Sequence, residues 1–101
     1  MIKHIVMWNV AGRSNREKAG NIERVRTAFE GLRGKIPGLA YLEVGVDMSR
    51  VDHACDVILY TEFDTQQSLD DYAVHPEHLR VRDELDGVRI RRHQVDYAVG
   101  E

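Results

Sequence analysis

The chain has 101 residues, a formal net charge of -3 and a single cysteine, with 43% apolar and 31% charged residues. These totals fit one domain with one modest core and argue against a general affinity for nucleic acid or an acidic membrane surface. They leave no internal disulfide, and with no signal-peptide pattern at the N-terminus and no apolar run long enough to span a bilayer, a cytoplasmic protein is expected.

Ile2 to Val10 alternates, with His4, Val6, Trp8 and Val10 on one parity and Lys3, Ile5, Met7 and Asn9 on the other, a strand with apolar side chains on both faces. Gly12 and Arg13 turn the chain, and Ser14-Asn15-Arg16-Glu17 reads as a capping box. Ala19, Ile22, Val25, Phe29 and Leu32 then form one apolar stripe on a helix of about five turns, ended by Gly34 and the Pro37-Gly38 pair. A second strand is expected from about Ala40 to Met48 and a third from Cys55 to Phe63, the latter holding Cys55 as a buried structural thiol. Asp64 or Thr65 caps a helix through Leu69, Tyr72 and Ala73. Pro76, lacking a backbone N–H, must break that helix near His75 and is suited to open the next one toward Leu85. Gly87 ends the helical pattern, and Val88 to Val99 closes the chain as a fourth strand.

This β-α-β-β-α-β order is the ferredoxin-like arrangement of an α+β domain, a four-stranded antiparallel sheet with the helices on one face. Val6 and Trp8 on the first strand, and Ile58 and Tyr60 on the third, stand opposite their strand's other apolar row. A bare face of this kind would exceed the apolar patch of an ordinary soluble monomer, so a second subunit is expected to cover it, sheet against sheet, in a dimeric α/β barrel. The rows Leu42, Val44, Val46 and Cys55, Val57, Leu59, Phe63 are assigned to the helices. The mixed rows, with Tyr41, Glu43, Asp56, Ile58, Tyr60 and Glu62, are assigned to a polar-lined cavity against the partner.

Five stretches in order carry a resemblance. They are Met1-Ile2-Lys3-His4-Ile5-Val6, Ile36-Pro37-Gly38-Leu39, Glu43-Val44-Gly45, Tyr72 to His78 with its His-Pro-x-His, and Val95-Asp96-Tyr97. Together they resemble the stress-responsive alpha/beta-barrel (Dabb) domain over essentially the whole chain, residues 1–101. That family includes stress-associated proteins and the olivetolic acid cyclase type of polyketide cyclase. The resemblance implies a homodimer of ferredoxin-like subunits and no metal or cofactor. It also implies catalytic roles for Tyr72, His78 and Asp96, and a cavity histidine at His4. Two positions depart from the cyclase: a tyrosine of the first helix becomes Arg26, and a histidine of the third strand becomes Asp56, changes that favour a smaller or more polar ligand. Val6, Trp8 and Ile58 complete the expected ligand contacts.

His78 is the natural general base near neutral pH, Asp96 its orienting partner, and Tyr72 a donor to a carbonyl oxygen as enolate charge develops. His75 reads as a solvent-facing or capping residue rather than a catalytic one. The arginines at positions 80, 82, 89, 91 and 92 interleave with Asp83, Glu84 and Asp86 and read as a solvated, self-paired surface. The leading reading is a small-organic-ligand protein that performs cofactor-free proton transfer α to a carbonyl, as in a cyclase or isomerase. A competing reading is a non-enzymatic stress or scaffold protein, and a third is a cofactor-free monooxygenase.

Overall fold

In the computed structural model, which describes residues 1–99, the elements run β1 (Ile2–Val10), α1 (Asn15–Glu30), β2 (Leu39–Val46), β3 (Val57–Phe63), α2 (Gln66–Ala73), α3 (Pro76–Glu84) and β4 (Arg89–Ala98). The strands form one antiparallel sheet in the order β2-β3-β1-β4, the ferredoxin-like topology. Ser14 caps α1, its Oγ accepting the Glu17 N–H at 3.1 Å. The helix ends at Glu30, one turn earlier than the apolar stripe suggests, and Leu32 is buried from the turn that follows. Pro76 separates α2 from α3. The cap between them is His75, whose Nδ1 accepts the Glu77 N–H at 3.1 Å.

One face of the sheet carries the core. His4, Val6, Trp8 and Val10 of β1 stand beside Thr61, Leu59 and Val57 of β3, and all are nearly inaccessible. Val25 and Phe29 of α1, Leu69 and Tyr72 of α2 and Val81 of α3 pack onto this row. Trp8 and Phe29 stack with ring centroids 5.3 Å apart. The opposite face holds Lys3, Ile5 and Met7, Tyr41, Ile58 and Tyr60, and His93, Val95 and Tyr97, with Met7, Tyr41, Val95 and Tyr97 exposed.

This partition corrects the sequence reading in one respect. Val6 and Trp8 belong to the helix side with His4, whereas Ile58 lies across the sheet from them, so these expected ligand contacts do not line one pocket. Both parities of β1 are apolar, and only the register with β3 decides which row is the core. Cys55, assigned above to the third strand, precedes β3 in a loop and is half-buried rather than enclosed.

Candidate functional site

The α2–α3 break, β1 and β4 bring together side chains from both ends of the chain. His4 pairs in register with Asp96 across β1 and β4, and its Nδ1 lies 2.5 Å from Asp96 Oδ1. A carboxylate accepts, so this ring nitrogen carries the proton and the imidazole is fixed in orientation. Asp96 Oδ2 accepts from Gln94 Nε2 at 2.9 Å, and Gln94 Oε1 accepts from Arg92. A polar chain Arg92–Gln94–Asp96–His4 thus runs along the helix side of β4, an edge strand exposed beyond Arg89.

Tyr72 sits above this chain at the end of α2. Its ring is 6.2 Å from that of His4 and 4.3 Å from that of His78, centroid to centroid. Burial pushes the phenol up to about 12, so it stays protonated at neutral pH and serves as a hydrogen-bond donor. His78, in the first turn of α3, places Nδ1 3.2 Å from the Ala73 carbonyl. A carbonyl only accepts, so Nδ1 carries the hydrogen and Nε2 keeps its lone pair. Loss of solvent lowers the imidazole from its ordinary pKa, the nearby positive charges of Arg89 and Arg92 add to this, and the Ala73 bond acts in the opposite sense. The ring is therefore neutral at pH 7, the state a base requires.

The structure brings Tyr72, His78, His4 and Asp96 together, but with a different pairing from the one expected. Asp96 serves His4, and the Ala73 carbonyl orients His78. Arg26 pairs with Glu23 of its own helix, 2.6 and 2.8 Å from the two carboxylate oxygens, and makes no hydrogen bond to this group. Asp56 belongs to the other end of β1. Its Oδ2 accepts the Val10 N–H at 2.9 Å and its Oδ1 lies 3.1 Å from Lys18 Nζ, beside a separate cleft of about 620 Å³. Six residue steps along β1, about 20 Å, separate that point from His4.

Sequence reasoning passed over Arg89. Its guanidinium lies 4.8 Å from the Trp8 ring centroid and 5.4 Å from that of Phe29, and desolvation lowers its pKa. The self-paired reading of the basic run holds for α3 only. Arg80 binds Glu77 and Glu84, and Arg82 approaches Asp83, but among the described residues neither Arg89 nor Arg92 has a carboxylate within ion-pair distance. Among those residues, no group of three or more His, Cys, Asp or Glu side chains is arranged to hold a metal ion. Among the described residues, no helix is long and apolar enough to cross a membrane.

The fold and this group of side chains define a ferredoxin-like α+β subunit with a polar, titratable cluster between its sheet and its helix break. The chain belongs to the Dabb family, the stress-responsive A/B barrel domain, whose model matches residues 2–99. Among solved structures it is similar to a dimeric protein of unknown function with a ferredoxin-like fold from Bacteroides fragilis, at 31% identity and a TM-score of 0.85, covering 97% of this chain and 95% of that one. A Dabb family protein from Mesorhizobium loti is 22% identical with a TM-score of 0.78, covering 99% and 97%. The hydroxynitrile lyase of Passiflora edulis shares the fold at 13% identity and a TM-score of 0.81, covering 99% and 94%. Comparison with curated protein sequences finds no match.

Proposed function

We propose that this chain is a homodimer, joined through the open sheet face, that binds a small organic ligand beside the α2–α3 break and moves a proton α to a carbonyl without a cofactor. The observation that carries the proposal is the setting of His78. Its Nδ1 is held by the Ala73 carbonyl, its Nε2 is left as the acceptor, and the Tyr72 ring lies 4.3 Å away. His78 takes the proton at Nε2, and the Tyr72 phenol donates to the carbonyl oxygen as negative charge develops there. His4, oriented by Asp96 as a histidine is oriented by its carboxylate in hydrolase triads, supplies a second proton-accepting ring. The dimer half of the proposal rests on the apolar side chains of the open face, on the family, and on the dimeric relative from Bacteroides fragilis.

The test is protein-dependent deuterium uptake at the α-carbon of a panel of ketones, β-keto acids and aldehydes in heavy water, read by mass spectrometry. Uptake is expected for a subset of the panel, is abolished in His78→Ala, and falls by about a hundredfold or more in Tyr72→Phe. No uptake above solvent for any member, or equal uptake by His78→Ala, overturns the acid–base reading.

One feature favours a second reading, a non-enzymatic scaffold. Both His75 and His78 bond to backbone groups around the Pro76 break, so the corner holds together without any ligand. In that case His78→Ala lowers stability and changes no turnover.

A further inference from the structure

β4 contains an irregularity that the sheet does not need. The pairing with β1 runs Val10 to Arg89, Asn9 to Ile90 and then Trp8 to Arg92, so Arg91 is an extra residue, and its φ of +47° is in the left-handed region that non-glycine residues seldom occupy. In a regular strand, residues 89 and 92 point to opposite faces, because their spacing is odd. The bulge cancels one step and turns both arginines to the helix side, next to Trp8. Strained, bulged backbone of this kind concentrates at working sites, where it re-aims a side chain.

The two guanidinium groups border a recess of about 230 Å³ floored by Trp8 and walled by Leu85 and Gly87. Arg89 sits alongside the Trp8–Phe29 stack, its charge partly withdrawn from water and matched by no carboxylate among the described residues. Asp86 is the one acidic side chain bordering the recess, against the four arginines at 82, 89, 91 and 92. An arginine held in this way presents a fork of N–H donors whose natural complement is a planar or tetrahedral oxyanion. The charges of Arg89 and Arg92 are also felt at the Tyr72 phenol and the His78 imidazole, which lie outside the lining of the recess itself.

We infer that the ligand of this site is an organic anion whose carboxylate or phosphate oxygens bind Arg89 and Arg92 while its reacting end lies against Tyr72 and His78. The statement about the reacting end rests on the acid–base reading above; the anion subsite does not. Trp8 is the sole tryptophan and lines the recess, so its fluorescence provides a probe there. Titration of the full chain with benzoate, phenyl phosphate and the neutral benzyl alcohol tests the inference. A saturable fluorescence change is expected with at least one of the two anions, the stronger response telling carboxylate from phosphate, and no saturable change is expected with the alcohol. Affinity falls as sodium chloride is raised. Arg89→Gln weakens anion binding by about tenfold or more, Arg92→Gln does likewise, and Arg80→Gln, whose arginine is already paired, leaves it unchanged.

Arg92 is exposed, so its variant carries the test even if removing Arg89 from the Trp8 stack disturbs folding. No saturable response to either anion, an equal response to benzyl alcohol, or unchanged affinity in the folded Arg92→Gln protein overturns the inference. His78→Ala retains anion binding. Binding without deuterium uptake therefore removes the proton-transfer reading and leaves the anion subsite in place, whereas uptake without anion binding does the reverse.

Discussion

At His78 desolvation disfavours the imidazolium, and the charges of Arg89 and Arg92 act in the same direction. The unfolded chain therefore binds this proton more readily than the native one. The stabilising contribution of a neutral His78 is complete above the unfolded pKa of about 6.5 and declines as pH falls through and below that value. Urea unfolding at about pH 7.5 and about pH 5.5 should show a loss at the lower pH that is smaller in His78→Asn. In Arg89→Gln the His78 titration, followed by NMR of the ring protons, should move upward, because one repelling charge is gone. Little of this was legible in the sequence. His4 and Asp96 are 92 positions apart and meet only through the β1–β4 register. The arginines at 89 and 92 share a stretch of sequence with Asp83 and Glu84, which the fold carries away on α3. The alternation of charges along the chain concealed that separation. The one sequence signal for Arg89 and Arg92 was their position after Gly87, on the strand rather than the helix.

The break between α2 and α3 shows how an element boundary brings titratable side chains together. Pro76 stops the first helix by removing a donor and starts the second with a suitable φ, which turns Tyr72 at one end and His78 at the next beginning toward each other. This boundary was readable from a single residue type, as were the Ser14 cap and the alternation of β3. His75 fills the cap of α3 with a ring nitrogen instead of the usual hydroxyl or carboxylate. His75→Ala should lower the unfolding free energy by about 1 kcal/mol and leave anion binding intact. Gly38 is a second local requirement. Its φ is +80°, its carbonyl accepts the Asp64 N–H at 2.9 Å, and an added Cβ would collide with the Ser68 side chain at the start of α2. Gly38→Ala should cost more than about 1 kcal/mol in urea unfolding, since both the backbone and the packing resist it. The bulge at Arg91 had no sequence signal, because the residue in the left-handed conformation is not a glycine.

At the scale of the molecule, three helices cover one face of a sheet whose two faces are both partly apolar. The antiparallel order, the helix positions and the existence of an uncovered face all followed from periodicity and from the handedness of crossovers. Which row of β1 faced which way did not, because Ile5 and Met7 are as apolar as Val6 and Trp8, and strand register is a property of the folded sheet. The consequence is a division of labour. The open face carries the exposed Met7, Tyr41, Val95 and Tyr97, where the proposed dimer would form, while the titratable cluster lies on the helix side of the same sheet. Substitutions on the two faces should then be independent. Sedimentation equilibrium of the wild type, His78→Ala and Met7→Glu tests this most directly. The expected result is that the first two sediment at twice the 11.6 kDa chain mass and Met7→Glu at the chain mass itself. A wild-type protein that remains at 11.6 kDa at micromolar concentration, or a His78→Ala protein that dissociates, would contradict the account.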